Sequence, residues 1–351
     1  MTDTLGLAAA RRRTALWALA LTVALAITFI VGVGAGPVPI RPTETLQVVS
    51  HHLLGTALEG AAVHDAIIWE IRVPRVTLGG LVGAGLALSG AILQTLVRNM
   101  LADPFVLGVN SGASTGAALA ILFGLGAGLG DYALQGSAFI GALAASLLLW
   151  AVARSQGRLT SIRLLMAGVA IGYALSAVTS FLIFASDSAE SSRSVMFWLL
   201  GSLGLAGWDG PLVVIAVIVV ASVALLMLLA RNLDALAVGD ETTLTAGVDP
   251  EKLRAGLLVI TCLLVGGIVA MAGSISFVGL VVPHLARRFV GGAHRAVIPV
   301  SALAGAILLI WADIGARTLL APRELSIGII TALVGAPFLL ILVRRMYAPA
   351  N

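Results

Sequence analysis

The sequence predicts an all-α, polytopic membrane protein of about ten transmembrane helices, forming one transmembrane domain over residues 1–351. Three observations carry that prediction. Hydrophobic residues make up 59% of the 351 positions and charged residues only 11%, where a soluble domain carries about 25% charge. Mean hydropathy is +1.06. Apolar runs long enough to cross about 30 Å of hydrocarbon recur from Ala15 to Val343, and basic residues cluster at alternate ends of those runs.

Taken in order, the expected spans are 15–33, 76–97, 105–125, 133–153, 164–184, 212–230, 255–271, 275–286, 296–320 and 327–343. The first follows a basic tail (1–13) ending in Arg11, Arg12 and Arg13 and lacks a small-residue cleavage site, so it reads as a retained span and not a signal peptide. With both termini on the cytoplasmic side, only Arg41, Arg72, Arg75, Arg193, Arg317 and Arg323 of the 21 Lys and Arg fall outside. The remainder face inward, as the positive-inside rule demands.

Three stretches do not fit simple hairpins. Residues 34–72, with several prolines and His51, His52 and His64, are too polar to span and are expected to hold an amphipathic surface helix. Residues 186–210 contain only a short apolar run and are expected to form a half-helix at the outer face. Between Arg254 and Arg287 lie 32 residues, too few for two full spans at 1.5 Å per residue. Charge bias is satisfied if the chain turns at Ala272–Ser276 inside the membrane and returns through a short helix, irregular backbone that must be buried in protein or line a cavity. The small-residue runs from Gly79 and Gly112 predict close helix contacts.

The chemistry expected of an energy-coupled enzyme is not written here. The only lysine, Lys252, is not in a phosphate-binding loop, so if transport is powered by ATP a separate subunit must hydrolyse it, and the chain is read as no enzyme. No cofactor, metal site or nucleic-acid contact is expected; the basic residues are explained by membrane topology. Asp313, with Arg317 at i+4, reads as a paired structural charge near the outer end of the ninth span. Ser89 and Ser111 lack a neighbouring base. Arg72, Arg75 and Arg317 at the outer mouths are candidates for docking an acidic partner. The longest inner loop, about 231–254, is a candidate handle for a cytoplasmic partner, with Asp240 and Glu241 at the start of a short helix.

Several blocks resemble, in this order, the membrane permease of the ATP-binding-cassette importers for iron-siderophores, haem and cobalamin. They are "RVPR" at Arg72, "SGAILQTLVRNMLADPFVLGVNSGA" from Ser89, "VGDETTLTAGV" from Val238, "GSISFVGLVVPHLARRFVGGAHR" from Gly273, "ADIGAR" from Ala312 and "ELSIGIITALVGAPFLLIL" from Glu324. The resemblance implies a type II importer permease fold in the bacterial cytoplasmic membrane. It implies a second permease subunit, identical or related, two cytoplasmic ATP-binding subunits and an extracytoplasmic substrate-binding protein. It also implies that Arg72, Arg75 and Arg317 bind acidic residues of that binding protein, and that Gly239, Asp240, Glu241, Thr243 and Gly247 lie in the loop coupling to the ATPase. Iron-siderophore is the first expected cargo, by frequency in the family, with haem or cobalamin as the alternative; a standalone secondary transporter is the rival class. Departures from the family pattern fall at Met100, Thr243, Ala246 and Ser326.

Overall fold

The computed structural model describes residues 7–36, 38, 40–56, 62–154 and 159–346; the first six residues of the expected tail and Arg158 lie outside them. In chain order the α-helices are α1 (Leu7–Gly34), α2 (Pro42–Leu54), α3 (Ala62–Ala66), α4 (Val73–Leu96), α5 (Val109–Phe123), α6 (Ala133–Arg154), α7 (Ser161–Phe184) and α8 (Ala189–Leu199). They continue with α9 (Gly210–Leu228), α10 (Ala230–Val238), α11 (Asp240–Thr245), α12 (Pro250–Ala272), α13 (Val278–Val290), α14 (His294–Thr318) and α15 (Ile327–Met346). Among the described residues, seven helices are long and apolar enough to cross a membrane, and two shorter apolar helices, Val109–Phe123 and Ile327–Leu342, add to them. With the returning α13 these make the ten crossings expected. Residues 7–13 are already helical, so the basic tail is the first turns of α1 and not a separate segment.

Burial separates core from periphery. The most apolar stretches of α4 and α12 are each 78% buried, whereas that of α1 is 17% buried; α1 meets lipid and α4 meets protein. Close approach is what small residues supply. A Cβ on Gly83 would lie 2.1 Å from the Gly305 carbonyl oxygen of α14, one on Gly90 1.8 Å from the Gly279 oxygen of α13, and one on Gly116 2.1 Å from the Ser137 oxygen of α6. The two small-residue runs are therefore the contact faces of α4 and α5.

Local chemistry sets the boundaries. Asp249 accepts from the backbone N–H of Glu251 and Lys252 with Pro250 at the first helical position, starting α12. Ser188 accepts from the Ser191 N–H and starts α8, the short outer half-helix. Amphipathic α2 opens on Pro42, closes on Gly55 at φ 69°, and buries Thr45 and Val48 while Leu53 stays exposed. Between α3 and α4 the chain runs through a π-helical segment, Ile67–Arg72, in which the Val73 N–H reaches the Ile68 carbonyl. Pro74 has no N–H for the Glu70 carbonyl and its ring crowds that turn, so the wider turn accommodates it.

The break lies where charge bias put it. α12 ends at Gly273 (φ 67°), residues 274–276 are irregular, and Phe277 at φ 70° precedes α13. α13 has 13 residues, about 20 Å at 1.5 Å per residue, so the break falls within the hydrocarbon thickness.

Candidate functional site

The site is three connected pieces: an inner handle, the mid-bundle break, and an outer arginine cluster. At the inner end, Gly239 in extended conformation separates α10 from α11. Asp240, first in α11, accepts from both guanidinium nitrogens of Arg254 on α12 and from Arg98, just past the end of α4. The Arg254 hydrogen bonds, reinforced by the charges of Arg254 and Arg98, hold the Asp240 carboxyl below its ordinary range. Thr243 is fully buried and its hydroxyl bonds the Gly239 carbonyl at 2.8 Å. Gly247 at φ 78° turns the chain back toward α12. Val238, Glu241 and Leu244 point outward, Val238 being 73% exposed and Leu244 54%.

His294 anchors the same end. It is buried, with Nδ1 2.6 Å from Asp234 of α10 and Nε2 2.8 Å from the Thr95 hydroxyl of α4.

Around the break, neighbouring segments are stitched together. Ser202 N–H donates to the Ala272 carbonyl, and Ile327 and Gly328 at the start of α15 donate to Gly201 and Leu200. The Ser274 hydroxyl donates to Asn110 Oδ1 of α5 at 2.7 Å. On α4, the Gln94 amide donates to the Leu280 carbonyl at 3.2 Å, and Arg287 donates to the Gln94 oxygen. These bonds hold the ends of the break against α4, α5 and the segment after α8, so the irregular backbone is enclosed by protein. Beside it a cavity of about 470 Å³ is lined by Phe105, Ser111, Gly172, Tyr173, Ser176 and Phe277 among others. Tyr173 is 77% exposed.

At the opposite end of the bundle Arg72 and Arg317 converge on the end of α1, and Arg75 joins them through Asp313. Arg72 is buried and donates to the carbonyls of Val33, Gly34 and Val38; Arg317, also buried, donates to those of Gly32 and Ala35. The last carbonyls of a helix lack internal partners and carry partial negative charge, so two guanidinium groups form a cap there. Asp313 is 1% exposed and lies 2.9 Å from Arg317 Nε and 3.0 Å from Arg75. Arg75 also holds half-exposed Glu324 through two nitrogens at 3.2 and 3.0 Å. Sequence reasoning brought Arg72, Arg75 and Arg317 to one face but missed Glu324 as their partner and the α1 carbonyls as acceptors.

Other flagged residues are occupied locally. The Ser89 hydroxyl bonds the Gly85 carbonyl at 2.7 Å, and Ser111 lies 3.2 Å from Ser176. His52 pairs with Asp65 and stacks on Trp69, and His64 pairs with Glu44, tying α2 to α3.

Residues 24–345 match the model of the FecCD transport family. The chain belongs to that family. Its relatives include a cobalamin import system permease of Halobacterium salinarum, 40% identical over 92% of this chain and 88% of the relative. A hemin transport system permease of Yersinia pestis is 42% identical over 82% of this chain and 87% of the relative. Among solved structures, a metal-chelate type ABC transporter in an inward-facing conformation aligns with a TM-score of 0.81 at 32% identity, covering 93% of this chain and 98% of that one. This FecCD-family protein is thus the permease of an ABC importer, the transporter class in which a separate subunit hydrolyses ATP.

Proposed function

We propose that this permease gates the import of a bulky organic metal chelate, with cobalamin or haem placed ahead of an iron-siderophore. The order differs from the sequence-based expectation because the relatives are named for cobalamin and hemin. The aromatic and hydroxyl-bearing cavity beside Phe277 and Tyr173 suits a large, partly apolar ligand. Two copies face each other across α7, whose Tyr173, Phe181 and Phe184 are left exposed. Both termini face the cytoplasm of a bacterial cell.

One observation carries the mechanism. Asp240 on the handle is tied to Arg98 of the α4 end and to Arg254 of α12; the far part of α12 runs into the break at Gly273, and the last turns of α4 pack on the start of α13 just beyond it, through Gly90 and Gln94. A cytoplasmic ATPase that grips Glu241 and Leu244, on a loop shaped by Gly239, Gly247 and buried Thr243, therefore moves both walls of the gate. Outside, the binding protein docks by offering a carboxylate that replaces Glu324 on Arg75, while Arg72 and Arg317 hold the rim.

The test is uptake into vesicles containing this permease and its ATPase, with binding protein outside. Cobalamin, hemin and a ferric siderophore are supplied in turn. Uptake of one of them that needs both internal ATP and the binding protein supports the reading; uptake driven by a proton gradient without ATP refutes it.

A further inference from the structure

A cleft of about 560 Å³ opens between α1, α13, α14 and α15, walled by Leu21, Val281, Leu285, Leu308, Trp311 and Phe338, with Thr331 the one hydroxyl in its lining. The Trp311 indole N–H is directed away to Thr28. Such a space offers water too few partners and suits hydrocarbon.

One end of the cleft leads to unpaired positive charge. Leu21, Trp17 and Arg13 follow at four-residue steps and share one face of α1, and on α13 Leu285 is followed one turn later by Arg288 and Phe289. The Trp17 and Phe289 rings lie 4.7 Å apart, which fixes the two helices in register. Arg13 Nη2 reaches to 3.5 Å of where a Cβ on Gly291 would sit, beside the end of α13. Arg13 and Arg288 are exposed and make no ion pair among the described residues. Topology accounts for arginines at this end of the bundle; it does not account for an apolar cleft aligned above two of them.

We propose that this cleft is a site for one anionic phospholipid, its acyl chain lying along α14 and its phosphate held by Arg13 and Arg288. Basic residues between helices at the membrane boundary bind anionic headgroups in this way. The site needs no assignment of which membrane face the arginines occupy, so it stands or falls apart from the transport reading.

Native mass spectrometry of the purified full chain tests it, with phosphatidylglycerol and phosphatidylcholine of identical acyl chains as probes. The expected result is one retained phosphatidylglycerol per chain, preferred about tenfold, with the preference abolished in Arg13→Gln/Arg288→Gln. Ala304→Phe, which fills the cleft, should lower retention of both lipids. The arginine variant alters only exposed side chains and keeps the test decisive if Ala304→Phe folds poorly. Equal retention of the two lipids by the wild type overturns the proposal. So does a disulfide formed in membranes between Leu308→Cys of two copies, which would show that protein fills the cleft.

Discussion

Arg72 and Arg317 stand on the side where topology disfavours positive charge, and the end of α1 supplies the reason. Five carbonyls there receive guanidinium donors, and unsatisfied buried carbonyls cost about 1–3 kcal/mol each. Arg72→Gln is therefore expected to lower stability by about 2 kcal/mol, read as a lower unfolding temperature. Arg72→Lys should recover only part of it, because one ammonium cannot span three acceptors as a planar fork does. Arg75 behaves differently, since Glu324 is a half-exposed, exchangeable partner. Glu324→Gln should tighten binding-protein docking with little change in unfolding temperature; weaker docking would contradict the exchange. From sequence, Asp313 and Arg317 were legible as a pair through their i+4 spacing. The carbonyl cap was not, because its acceptors are backbone atoms far off in sequence, 34 to 39 residues from Arg72 and 282 to 285 from Arg317, that carry no side-chain signature.

At the scale of elements, helix crossings depend on absent side chains. Gly90→Ala would place a methyl 1.8 Å from the Gly279 oxygen and force α4 from α13, costing about 1–3 kcal/mol or more. Gly256→Ala on α12 meets nothing within 4 Å and is expected to be neutral or stabilising by about 0.5–1 kcal/mol. Thermal unfolding of the two variants distinguishes contact glycines from incidental ones. The handle has a pH signature. Because the Asp240 carboxyl is depressed by Arg254 and Arg98, its contribution is fully present above about pH 4, the unfolded Asp range, and fades as pH falls through the lower folded value. Wild type and Asp240→Asn should thus differ in unfolding temperature near neutrality and converge in acid. The break at 273–277, the surface helix and the outer half-helix were legible: 32 residues are too few for two full spans and charge bias favoured a turn over one tilted helix, while polarity and short apolar length marked the other two. The π segment before α4 and the helix α10 were not. The short helix after Gly239 was legible in the handle; the π segment follows from a proline inside a long helix, a signal that fits several local geometries equally well.

For the whole molecule, the account is a gate whose two walls are moved from one end. The handle is linked to α4 and α12, those helices hold the break, and the family relationship places an ATPase in a separate subunit. Everything depends on the handle facing the side where that ATPase works. The most direct measurement is labelling of Leu244→Cys with a membrane-impermeant maleimide, made clean by the burial of Cys262, the one native cysteine. Labelling in inside-out vesicles but not in intact cells is the predicted result; labelling of intact cells from outside would contradict the account.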